Sequence, residues 1–200
     1  MELGHYDEAR RKVERGTALG NEIGHPNIAA AGWLQLAELV HRQGDHKLMR
    51  LHLDQAAGSL PAMAEKAEYQ IMEVYCRLGQ GDETGALQFL TKLQQDFESL
   101  SPRLRAAFCL LKAQFNNFTK KTDNSIRADF EQAVSLARES SLEGIHFLAD
   151  VLMQYGEWLV SAGGDAGQIL AEAEGLFRQM GNEYRLEKVA EIRRKSQSGH

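Results

Sequence analysis

The sequence predicts an all-α protein, and three observations carry that prediction. Apolar residues recur at three- and four-residue spacings along almost the whole chain. The strict apolar/polar alternation of a half-buried strand is missing. The interruptions are short and hold helix-stopping residues, so consecutive helices are expected to pack antiparallel as hairpins.

Taken in order, the first helix is expected over 6–23, ended by Gly24 ahead of Pro26. In the second, 27–43, Trp33, Leu36, Ala37 and Val40 form one stripe, and Gly44-Asp45 stops it. The third, 46–59, ends at Ser59 before Pro61, and the fourth, 62–78, at Gly79 through Gly81. A fifth, 83–99, closes at Ser101 before Pro102, and a sixth, 102–120, runs to Thr122–Asn124. Helices over 124–140 and 142–162 follow, the latter ended by Gly163-Gly164. The last two, 165–180 and 182–196, meet at Gly181-Asn182. The total is about ten helices.

Composition narrows the class. With 200 residues, 43% of them hydrophobic, 26% charged and only 3 prolines, the chain can bury enough apolar surface to offset its ordering entropy. A formal charge of -5 and a pI near 5.8 disfavour nucleic acid and anionic lipid as partners. Two cysteines, Cys76 and Cys109, are too few for a disulfide scaffold and fit a reducing compartment. No apolar run is long enough for a membrane span, and the opening residues lack the character of a signal peptide. A soluble, cytoplasmic protein without a membrane partner is expected.

The helix junctions repeat. Leu3-Gly4-His5-Tyr6-Asp7-Glu8-Ala9 recurs loosely as Gln43-Gly44-Asp45-His46-Lys47-Leu48-Met49 and as Leu78-Gly79-Gln80-Gly81-Asp82-Glu83-Thr84-Gly85-Ala86. Weaker copies lie at Lys121–Ile126 and Gly164–Ile169, giving a period of roughly 35 to 43 residues. A hairpin cannot bury its apolar stripe alone and must stack on its neighbours, with small residues such as Ala9, Ala56, Ala86 and Ala133 allowing close approach.

These residues resemble the tetratricopeptide repeat (TPR) family. Trp33, Gly44, Ala56 and Pro61 match, in order, its first-helix aromatic, turn glycine, second-helix small residue and terminal proline. Phe130 and Ala133 fit the pattern as well, whereas Met49 and Ile126 depart from it. Repeats longer than the family's standard of about 34 residues resemble those of bacterial transcription activators and signalling ATPases or cyclases. The resemblance implies a right-handed α-solenoid, a TPR-like superhelix in one domain over 1–200, with repeats near 1–26, 27–61, 62–101, 102–141 and 142–181 and a capping helix at 182–196. The chain enters its first repeat at the inter-helix turn. The expectation is therefore the C-terminal part of a longer protein, with an apolar N-terminal end around Tyr6, Val13 and Leu19 open to self-association.

Catalytic and metal patterns are not found. The 7 histidines include no His-Glu-x-x-His, and His41, His46 and His52 straddle a turn instead of sharing one helix face. Gly163-Gly164 lacks the Lys-Ser/Thr end of a phosphate loop and reads as a helix cap. There is no Gly-x-Ser-x-Gly elbow, and Cys76 and Cys109 read as inert core thiols. No catalytic residue, metal ligand or cofactor is assigned.

A binding wall is the remaining candidate. Gln35, Glu38 and Arg42, then Tyr69, Glu73 and Arg77, then Lys112, Phe115 and Asn116, and last Gln154 and Trp158, are placed on the wall-facing side of successive first helices. Amide and guanidinium groups bond a peptide backbone or carboxylates, and rings anchor side chains. Arg42, Arg77 and Lys112 would meet an acidic peptide. The expected function is a protein–protein interaction scaffold, not an enzyme, that presents a concave groove to a partner peptide or helix. The alternative is a ligand-sensing, regulatory repeat segment of a larger transcription or signalling protein.

Overall fold

The computed structural model describes residues 2–41, 43–140 and 145–198 and is all-helical, with no strand among them. Ten α-helices follow one another: α1 Glu2–Glu22, α2 Pro26–His41, α3 His46–Ser59, α4 Ala67–Gly79, α5 Glu83–Gln95, α6 Pro102–Phe118, α7 Asp123–Glu139, α8 Ile145–Ser161, α9 Gly167–Gln179 and α10 Glu183–Ser198. Among the described residues, no helix is long and apolar enough to cross a membrane.

Two expected helices are shorter than their sequence pattern. The stretch 62–78 opens as a 3-10 segment, Pro61–Glu65, and Lys66 is extended before α4 starts. Leu60, restricted by the proline after it, is extended too, and the tight segment tucks Met63 into the core at 3% exposure. The stretch 83–99 stops at Gln95 and ends in a second 3-10 turn, Phe97–Ser99.

The junctions explain why the hairpins form. Gly44 and Gly81 both adopt left-handed φ of 76°, a conformation that side chains with a Cβ resist. The next residue caps the following helix in each case: Asp45 accepts a hydrogen bond from the Leu48 amide, and Asp82 from the Gly85 amide, both at 2.9 Å. In the α6–α7 turn Lys120 takes the left-handed place with φ 54°, so the weakest sequence copy keeps the geometry without the glycine.

The chain divides into two compact units, residues 1–99 and 100–200. In the first, α1 packs on α2, α2 on α3, and α4 on α5, while α4 also touches both α2 and α3. Its core holds Ala30, Ala37, Val40, Met49, Leu53, Ala56, Met63, Tyr69 and Cys76, with Trp33 packed against it. In the second, α6 packs on α7, α7 on α8, and α8 on α9, while α10 touches both α8 and α9. Leu111, Ile126, Leu152, Leu170 and Phe177 are among its most completely buried side chains.

Small residues set the closest approaches. A Cβ on Gly32 would run into the Thr17 side chain, and one on Gly20 would come 2.8 Å from the Ala29 nitrogen, so α1 and α2 meet nearly backbone to backbone. Between α8 and α9, Gly156 makes room for the buried Leu170.

Candidate functional site

In each unit two first helices of successive hairpins lie side by side. In the first unit, α2 and α4 are joined where the His41 and Tyr75 rings approach to 4.2 Å. In the second, the Arg103 guanidinium of α6 sits over the Phe147 ring of α8 at 5.9 Å, and Gln114 of α6 donates to Gln154 of α8. These two contacts run in the same sequence direction on both helices, which fixes α6 and α8 as parallel neighbours.

The exposed groups of these helices form the candidate surface. On α2 and α4 it carries Gln35 and Glu38, both exposed, with exposed Glu68 and half-buried Tyr75. On α6 and α8 it carries Arg103, Phe118 at 45% exposure, the Gln114–Gln154 pair and Glu157. Such a surface offers amide groups, single charges and ring edges, the mixture that recognises a peptide backbone together with a few side chains.

Several residues expected on the wall are elsewhere. Tyr69, Glu73, Phe115 and Trp158 are buried, at 4%, 3%, 7% and 5% exposure, and present no open surface. Arg42 lies outside the described residues. Arg77 forms an ion pair with Glu73 at 3.3 Å, donates to Asp82 at 2.6 Å and lies over the Phe89 ring. Lys112 pairs with Asp129 at 2.9 Å, and Asn116 donates to the same carboxylate at 2.7 Å. The charges of Arg77 and Lys112 are thus met within the chain, which removes the reason to expect an acidic peptide there.

Glu73 is the centre of a built polar cluster. Arg50 of α3 grips its carboxylate with both terminal nitrogens, at 2.7 and 2.6 Å, and the Tyr69 hydroxyl donates to it at 2.8 Å. Burial pushes the Glu73 carboxyl up, but hydrogen bonds from Arg50 and Tyr69 and the charges of Arg50 and Arg77 outweigh it and hold the group below its ordinary value. Burial and the neighbouring Glu73 push the Tyr69 hydroxyl up. With every oxygen engaged and both arginines charged, the cluster joins α3 to α4 and supplies neither a free base nor a nucleophile.

The histidines separate. The His41 and His46 rings lie 6.5 Å apart, and His46 packs so tightly on Gly79 that a Cβ there would strike its ring. His52 is 7% exposed and stacks on Trp33 at 5.5 Å; burial pulls its basicity down. Among the described residues, no group of three or more His, Cys, Asp or Glu side chains is placed to hold a metal ion. Both cysteines are free and buried, and burial pushes the Cys109 thiol up to about 11, which leaves it protonated at neutral pH.

Sequence reasoning missed Tyr75, Gln114 and Phe147. Tyr75 lies two residues from Glu73, about 200° around the helix. Placing charged Glu73 on the open face therefore turned Tyr75 inward, and the burial pattern of α4 reverses that assignment. No family model, curated protein or solved structure matches this chain.

Proposed function

We propose that the protein is a non-catalytic interaction scaffold working inside the cell. In this reading its hairpins follow the stacking logic of a TPR-like right-handed solenoid, and the open faces of its first helices receive an extended segment or helix of a partner protein. The observation that carries the reading is the side-by-side placement of α2 with α4 and of α6 with α8, with amides, rings and charged groups on their exposed sides. The next-but-one contacts, α4 on α2 and α10 on α8, support the repeat logic because they are what a stacked hairpin makes and an isolated hairpin does not. The polar cluster of Glu73 supports it as well, since it stiffens the α3–α4 junction beside the face.

Site-specific photocrosslinking in the source cell tests this. A benzophenone amino acid at Gln35 or Glu38 should capture a discrete partner band. The same group at Leu51 or Leu87, exposed on the second helices α3 and α5, should not. Equal capture from all four positions, or capture from Leu51 and Leu87 alone, would remove the first-helix faces from the account.

A further inference from the structure

His52 of α3 carries a polar ring into a place that gives it nothing to bond. It is 7% exposed, it stacks on Trp33 of α2 at 5.5 Å, and among the described residues neither of its ring nitrogens has a hydrogen-bond partner. The Trp33 indole nitrogen is buried beside it and is unpartnered too. Buried polar atoms are nearly always bonded, so these nitrogens, on two stacked rings, mark a seam that water would improve. α1 also packs on α2, where its Thr17 lies against Gly32, the residue before Trp33. The charges that act on the His52 ring are Arg10 and Glu14 of α1 and Asp45 at the start of α3, while α2 presents the Trp33 ring. Both carboxylates are engaged elsewhere: Glu14 pairs with Arg10 at 2.8 Å, and Asp45 accepts from the Leu48 amide at 2.9 Å. An imidazolium formed here would be a desolvated cation with no bonded counter-charge, and the Arg10 charge would oppose it.

Of the helices around this ring, α1 is held least firmly. Among the described residues no apolar side chain of α1 is fully buried, and its tightest contacts with α2 are made by Thr17 and Gly20. α2 and α3, in contrast, share a core that includes Val40, Met49 and Leu53. We propose that the seam between α1 and the α2–α3 hairpin is an acid-released latch, in which protonation of His52 lifts α1 and lets water reach the Trp33–His52 stack. Burial first, and the Arg10 charge second, hold the basicity of the closed ring down, so the opened state binds the proton more tightly. The closed form is therefore unaffected above the ordinary value of 6.5 and loses ground as pH falls below it. Glu73 does not share this window, because its carboxyl is held below 4.5. The proposal does not depend on what the first-helix faces bind.

Amide hydrogen exchange of the full chain, wild type against His52→Phe, tests it. Phenylalanine keeps a ring on Trp33 but takes no proton, and the ratio of the two proteins at one pH removes the intrinsic pH dependence of exchange. Between about pH 7.5 and about pH 5.5 the wild-type-to-variant ratio should rise by up to about tenfold for α1 amides, the limit for an opened state that protonates at 6.5. Amides of α5 should keep one ratio throughout. An α1 ratio that does not change with pH overturns the proposal. So does an equal rise in every helix, which would make His52 a reporter of global unfolding. If the variant fails to fold, NMR titration of the wild type decides: the His52 ring should stay neutral below 6.5, and α1 amides should lose protection as it titrates. A ring that protonates at 6.5, or one that titrates while α1 stays protected, contradicts the latch.

Discussion

Glu73 shows how one side chain can reverse the reading of a helix face. Its carboxylate is 3% exposed yet charged, because Arg50, Tyr69 and Arg77 surround it. Removing one member of a fully buried ion pair costs about 3–5 kcal/mol, but here Arg50 keeps Asp54 and Arg77 keeps Asp82, and both guanidiniums are only half-buried. Glu73→Gln should therefore lower the urea unfolding free energy, by less than that full cost. It should also change the acid limb. The folded carboxyl is held below its ordinary value of 4.5, so its contribution is complete above that pH and is lost as pH falls through the folded value. Wild type should lose more stability below pH 4.5 than the variant does, and parallel acid limbs would show that Glu73 is not held ionised. The partner that makes Glu73 buried, Arg50, lies 23 residues away in sequence and on another helix. Local spacing cannot reveal such a pair, which is why Tyr69, Glu73 and Arg77 were assigned to the wrong face of α4.

At the scale of the element, the same residue type has opposite roles in two helices. Gly156 faces Leu170, itself 1% exposed, and an added Cβ would lie 2.7 Å from Leu170 Cγ, where the packed α8–α9 contact leaves no room to give. Gly175, inside α9, meets nothing within 4 Å of such a Cβ. Gly156→Ala should destabilise by about 1–3 kcal/mol through overpacking, whereas Gly175→Ala should stabilise by roughly 0.5–1 kcal/mol through helix propensity. Thermal melting of the two variants reads the signs directly, and two shifts of the same sign would contradict the close α8–α9 packing. Helix identity was legible at most junctions because glycine or proline marks them: the stop at Ser59 before Pro61 and the start of α6 at Pro102 agree with the structure. The delayed start of α4 was not legible, since it depends on Met63 reaching a core assembled from α2 and α3.

For the whole molecule, the all-helical class follows from period and punctuation alone, while the surface that faces outward depends on contacts between helices distant in sequence. Tyr75 and Phe147 are informative here. Each is an aromatic residue at helical spacing, indistinguishable in sequence from core, and each is half-buried where it meets His41 or Arg103 on the neighbouring first helix. The central proposal is that each hairpin gains much of its stability by resting on its neighbours. Native-state hydrogen exchange in dilute solution, resolved helix by helix, tests that claim most directly. The account predicts graded protection within each unit: α2, packed by α1, α3 and α4, should exceed α1, which packs mainly on α2, and α8, packed by α7, α9 and α10, should exceed α10. Uniform protection of all four helices, with exchange only through a single global opening, would contradict it.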